Sequence, residues 1–179
     1  MLCYSIYKVS LKMVDILKKT ITLCLAIILI ISFAAIVTGC SKESQHENTG
    51  VSMMPTIKDG QVVTVIPLKG MPKTGDIVLI NKTENYDAKM IKRVIAVAGQ
   101  DLKIDFDNNK VYVDGELLEE NYIQGTTTPG DIEPDEINGI IPDGKIFVMG
   151  DNRHVSLDSR YKQIGLIDIE NINGVVKLN

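Results

Sequence analysis

The chain has 179 residues, enough for one compact domain, with 45% hydrophobic, 5% aromatic and 23% charged residues and 14 glycines, a composition that excludes a disordered chain and suits a turn-rich globular one. The formal net charge is −4, and the first 39 residues are themselves basic, with four lysines and one aspartate, so the acidic excess lies downstream. Duplex nucleic acid needs a basic face to displace counterions, so it is excluded as a partner.

Lys18 and Lys19 precede an uncharged run from Thr20 to Gly39, about 30 Å long as a helix and so just able to span a bilayer. A positive flank ahead of such a run keeps its N-terminus in the cytoplasm and directs the rest of the chain outward. Met13 offers an alternative start to Met1 and would give a short, Lys-bearing leader. The run ends in Val37-Thr38-Gly39-Cys40 and gives way to polar Ser41-Lys42-Glu43-Ser44, which resembles a bacterial lipobox. That resemblance implies cleavage before Cys40 and lipidation of its thiol; the alternative is a retained transmembrane helix that happens to end in Gly-Cys. Either way, membrane lipid is an expected partner. The expected division is a membrane segment or lipoprotein signal over 1–40, a polar tether over 41–50 and a folded domain over 51–179.

The three cysteines are Cys3, Cys24 and Cys40, so no disulfide can staple the folded part. With only His46 and His154 as histidines and no cysteine pair to join them, no metal site and no cofactor is expected.

Past Gly50, β-rich apolar runs follow at close spacing: Gln61–Pro67, Asp76–Asn81, Met90–Ala98, Asp101–Phe106, Lys110–Val113, Lys145–Met149 and Gly174–Leu178. Lys58-Asp59-Gly60, Lys73-Thr74-Gly75, Asp107-Asn108-Asn109 and Asp114-Gly115 mark turns between them. No downstream window keeps a helical period apart from a short turn near Asp158–Lys162, and Gln124–Gly139 reads as one long loop. The predicted fold class is all-β, built of antiparallel strands after one N-terminal apolar helix.

Three segments carry chemistry. In Ser52-Met53-Met54-Pro55-Thr56 a serine precedes a proline-stiffened turn, where it caps a chain as readily as it attacks a carbonyl. In the strand from Met90 to Gly99, alternation puts Lys92 on one face with Met90, Val94 and Ala96, and Arg93 on the other with Ile91 and Ile95. An ammonium on an apolar face is costly to bury and escapes either by snorkelling to solvent or by losing its proton. A neutral lysine accepts a serine proton without help from histidine. In Met149–Arg160, Gly150-Asp151-Asn152 suggests a tight turn held by Asx hydrogen bonds, and Asp158 and Arg160 are placed to pair.

Each segment alone has a structural reading. Together, and in this order with Gly75-Asp76-Ile77-Val78 between the first two, they resemble the bacterial type I signal peptidases over about 130 residues. The resemblance implies a signal-peptidase or LexA-like, β-barrel-like fold and a serine endopeptidase that cuts signal peptides from secreted or membrane preproteins after small residues of the Ala-x-Ala type. It places the site at the outer face of the cytoplasmic membrane. By position it makes Ser52 the nucleophile and Lys92 the general base. Ser156 becomes the hydroxyl that orients the lysine, with Asp158 and Arg160 as a supporting ion pair and Gly150 and Asn152 as the turn beneath the site. Met53, Met90 and Ile91 become the walls of the substrate pockets, and the Ser52 backbone N–H becomes the oxyanion donor. Two departures stand out: Gly50 occupies a position where some members carry an oxyanion-binding serine, and His154-Val155 replaces the Asp-Asn usual after the arginine. The rival functions are a LexA-type self-cleaving protease and a non-catalytic lipoprotein that keeps the fold as a binding module.

Overall fold

The computed structural model describes residues 18–23, 42–83 and 85–178. The chain divides into two units at Ser41 and Lys42. Of the first, residues 18–23 are helical. Among the described residues no helix is long and apolar enough to cross a membrane. Most of the Thr20–Gly39 run lies outside those residues, and so do Cys40 and the two candidate starts, Met1 and Met13.

The second unit is the expected antiparallel β structure. Eleven strands run in chain order: β1 (Ser44–Glu47), β2 (Val62–Ile66), β3 (Ile77–Ile80), β4 (Met90–Val97), β5 (Asp101–Asp105), β6 (Lys110–Val113), β7 (Glu116–Leu117), β8 (Gly139–Ile140), β9 (Lys145–Met149), β10 (Ile167–Asp168) and β11 (Ile172–Lys177). They form a seven-stranded sheet in the order β1-β2-β11-β3-β4-β9-β10 and a four-stranded sheet in the order β7-β6-β5-β8. All pairings are antiparallel.

Burial follows position in the sheets. β2, β5, β6 and β11 alternate inside and outside residue by residue, as strands wetted on one face do. The central strands β3, β4 and β9 are buried on both faces, which is why they read as unbroken apolar runs. β4 serves three clusters of the core. Met90 and Val94 pack with Val78, Val148 and Ile167. Ile91 joins Met53, Ile57 and Val65. Ile95 and Ala96 both join Leu102, Val111 and Phe147. The last grouping corrects the expected alternation. The register against β9 slips between Val94 and Ala96, and this bulge turns Ala96 away from the Met90–Val94 face. Full burial of side chains of this size stabilises by about 1.5–3 kcal/mol each, so this strand anchors the sheet.

The Asp114-Gly115 signal forms the two-residue hairpin between β6 and β7, with both residues at positive φ (54° and 80°), the turn that Asp-Gly favours. Within Gln124–Gly139 the structure adds one helical turn, Pro134–Ile137, started by a proline and turned inward on Ile137. The stretch read as a tether from residue 41 to 50 needs a larger correction: Ser44–Glu47 pairs with Val62–Val65 as the edge strand. Its residues are all polar and only His46 is half-buried, so hydrophobic alternation could not reveal it.

Candidate active site

Ser52 stands in the turn after β1, where Met53 and Ile57 plunge into the core and a bond from the Ile57 N–H to the Met53 carbonyl closes the turn. The same turn is fastened from the far end of the chain. The Asn152 N–H donates to the Ser52 carbonyl at 2.9 Å and its side-chain amide donates to the Val51 carbonyl at 3.2 Å. Lys92 enters from the middle of β4. Its Nζ donates to Ser52 Oγ at 2.8 Å, and the residue is only 4% exposed. Burial pushes its ammonium down from 10.5 to about 8; Arg160 pushes the same way, while the carboxylates of Asp158 and Asp151 oppose it. Two residues that the sequence separates by 40 positions are thus in direct contact.

Both line a cleft of about 270 Å³ whose walls also carry His46, Asn48, Gly50, Tyr86, Lys89, Met90, Ile91, Val155 and Leu157. β4 pairs with β3 through Met90–Arg93, but its pairing with β9 begins only at Arg93, so Met90–Lys92 present an unpaired backbone edge to the cleft. Met53, expected in the pocket wall, is wholly buried and packs beneath the cleft with Ile91 and Leu79. The Ser52 N–H makes no hydrogen bond to the described chain. Gly50 sits at φ 97°, a left-handed conformation that a serine adopts only with strain, and its N–H is held by Asp59 at 2.7 Å.

The loop from Gly150 to Arg160 is bound by buried ion pairs. Asp158 and Arg160 pair at 2.8 and 2.9 Å, both fully buried, and Asp158 also accepts from the Gly150 N–H at 3.0 Å. The remaining guanidinium donors reach the carbonyls of Thr128 and Arg153. Gly150 is required by space: a Cβ there would lie 2.5 Å from the Ser52 carbonyl oxygen and 2.3 Å from Ser156 Oγ. Ser156 is buried, but its hydroxyl makes no hydrogen bond and the expected bond to Lys92 is not formed. Its backbone N–H is drawn to the Asn152 carbonyl at 3.1 Å, which turns the hydroxyl onto Gly150.

Two further pairs escaped the sequence reading. Arg93 makes a two-pronged contact with fully buried Asp151 at 2.8 and 2.6 Å, donates to the Gly75 carbonyl and stacks on Tyr122 at 3.8 Å. Asp151 also accepts from Thr56, so its carboxylate ties strands and turns together where a local Asx bond was expected. Arg153 is held by Glu120 and by the Thr127 hydroxyl. Through Thr127 and the bridge from Gln124 to Asn152 the long loop straps the site from outside, and Glu120, just ahead of it, adds the ion pair to Arg153. His154 is exposed and lies over Gly125, where a Cβ would come within 2.7 Å of the imidazole, so it is a packing partner of the strap. Only the lone cations Arg93 and Arg153 in otherwise apolar or turn segments hinted at these pairs; the partners were undetermined without the fold.

A family model described as signal peptidase, peptidase S26, matches residues 17–179. Signal peptidase IB of Staphylococcus aureus is 37% identical over 143 residues, covering 71% of this chain and 72% of its own length. Signal peptidase I of Bacillus licheniformis is 35% identical over 137 residues, covering 70% and 69%. A crystal structure of a signal peptidase I from Enterococcus faecalis is similar with a TM-score of 0.50 at 26% identity, over 62% of this chain and 100% of that one.

Proposed function

This chain belongs to the signal peptidase, peptidase S26, family of serine endopeptidases, and from that premise we propose that it removes signal peptides from exported preproteins through a Ser52–Lys92 dyad. The observation that carries the reading is the 2.8 Å contact between Lys92 Nζ and Ser52 Oγ, made by a buried amine whose pKa falls to about 8. In the reactive form Lys92 is neutral, so the Ser52 hydroxyl donates to it. Oγ attacks the scissile carbonyl as its proton passes to Nζ. The resulting oxyanion takes a hydrogen bond from the unengaged Ser52 N–H, and Gly50 supplies no side-chain donor. The ammonium then protonates the leaving amine. Water, deprotonated by Lys92, opens the ester in the second half of the cycle.

The substrate lies extended beside the open edge at Met90–Lys92 and adds a strand by main-chain hydrogen bonds. Met90 and Ile91 then border the residues just before the cut, in keeping with a preference for small side chains of the Ala-x-Ala type. Cleavage of an Ala-x-Ala preprotein by wild type and by Ser52→Ala and Lys92→Ala tests the dyad. Only the wild type should cut, and equal cleavage by all three, or by none, overturns the assignment.

The catalytic domain works at the extracytoplasmic face of the cytoplasmic membrane, attached by the segment ahead of β1. Attachment is by lipid on Cys40. Radiolabelled fatty acid with and without globomycin distinguishes the two anchors: absence of label and of a size shift leaves a retained helix.

A further inference from the structure

The cleft holds a cation and an imidazole that peptide-bond cleavage does not use. Besides Lys92 its walls carry His46 of β1 and Lys89, the residue just ahead of β4, and among the described residues no carboxylate lines it. Lys89 is exposed and makes no ion pair among the described residues. The neighbouring Asp87 is engaged by Lys82 at 3.2 Å. His46 is half-buried; burial lowers its pKa, Lys89 lowers it further and Glu47 opposes both, which places the imidazole within the field of the Lys89 ammonium. Glu47, next along the strand, points to the opposite face.

An extended peptide beside β4 advances at the same rise as the strand, about 3.3 Å per residue. Lys89 lies three positions from Lys92, beyond Ile91 and Met90, so a substrate residue roughly four or five positions before the scissile bond stands beside it, with His46 in the facing wall. We propose that Lys89 and His46 form a subsite that selects a carboxylate side chain four or five residues before the cut, just outside the Ala-x-Ala triplet. This rests on the peptidase reading above and adds to it a charge preference set by residues outside the dyad. Lys89 supplies the ammonium and His46 supplies an N–H donor, while the substrate carboxylate supplies the negative charge that no described residue lining the cleft carries.

The test uses the full-length chain in micelles of a neutral detergent, with and without anionic lipid, and internally quenched peptides that share an Ala-x-Ala cut site. Each carries Glu, Gln or Lys at the fourth or fifth residue before the cut, outside the Ala-x-Ala triplet. At low salt the wild type should cleave the Glu peptide with a kcat/KM about fivefold to tenfold above the Lys peptide at one of these positions, and the ratio should fall in about 0.5 M salt. Because the readout is a ratio within each variant, a general loss of activity cancels. Lys89→Glu should invert the ratio, and Lys89→Gln and His46→Gln should each draw it toward one. A wild-type ratio of one at both positions, or a ratio that Lys89→Glu leaves unchanged, overturns the subsite and leaves the peptidase standing. Loss of rate in Lys89→Glu that is equal for every peptide and appears only with anionic lipid assigns the charge to headgroups and also overturns it. No cleavage of any peptide by the wild type removes the peptidase reading itself, and the subsite with it.

Discussion

Lys92→Met replaces a buried amine by an unbranched apolar chain of similar length. The folded ammonium titrates at about 8 and the ordinary one at 10.5, a gap that at 1.36 kcal/mol per pKa unit corresponds to about 3 kcal/mol. Below pH 8 both folded and unfolded chains hold the proton, and the folded chain bears the full cost of a buried charge. Between pH 8 and 10.5 the folded lysine is neutral while the unfolded one is still charged, so the unfolded state binds more protons and stability rises with pH. Above 10.5 the cost is gone. Methionine escapes it at every pH but forfeits the hydrogen bond to Ser52, about 1 kcal/mol. The variant should therefore be about 2 kcal/mol more stable than wild type at pH 7 and about equal to it at pH 10. Urea unfolding followed by far-UV circular dichroism at the two pH values reads both numbers. A variant less stable than wild type at pH 7, or a difference that stays constant between pH 7 and 10, refutes the claim that Lys92 is held against its own charge.

Catalysis should show the same ionisation from the other side: kcat/KM rises about tenfold per pH unit below pH 8 and levels off above it, so a profile flat from pH 6.5 to 9 counts against Lys92 as base. Gly150→Ala pushes a methyl into the Ser52 carbonyl and Ser156, which must yield by about 1 Å; kcat should drop on the order of a hundredfold, and a rate within threefold of wild type would show that the turn is free to move. Asp151→Asn strips the charge partner from buried Arg93 and should destabilise by about 3–5 kcal/mol, visible in a thermal melt as a fall of about 10 °C or more. A change under about 1 kcal/mol would mean that the pair contributes little.

What could be read in advance depended on whether a residue's partner was local. The seven long strands were legible because burial writes itself into alternation or into apolar runs, as in β5 and β4. β1 was not, since a polar edge strand with only His46 half-buried shows no hydrophobic pattern, and β7, β8 and β10 are two residues each, too short to show one. Lys92 stood out because a charge inside an apolar run is anomalous on its face. Ala96 was misplaced because a bulge inserts a residue that no local rule announces. Asp158 and Arg160 lie two residues apart and were paired correctly, whereas Arg93 and Asp151 lie 58 apart and Glu120 and Arg153 lie 33 apart. The open hydroxyl of Ser156 and the burial of Met53 are matters of side-chain direction, set by packing from several elements at once.

The fastening of the Ser52 turn has a consequence in time. Asn152 holds Val51 across 101 residues, Lys92 reaches Ser52 across 40, and the loop that bears Asn152 is itself clamped from Glu120. Contacts of such separation close late, because the entropy of each large loop must be met before any bond across it forms. A chain still emerging or half folded has a serine and a lysine but no nucleophile. If the proposed Ser52–Lys92 dyad does the chemistry, proteolytic competence should therefore appear only when the β unit has assembled.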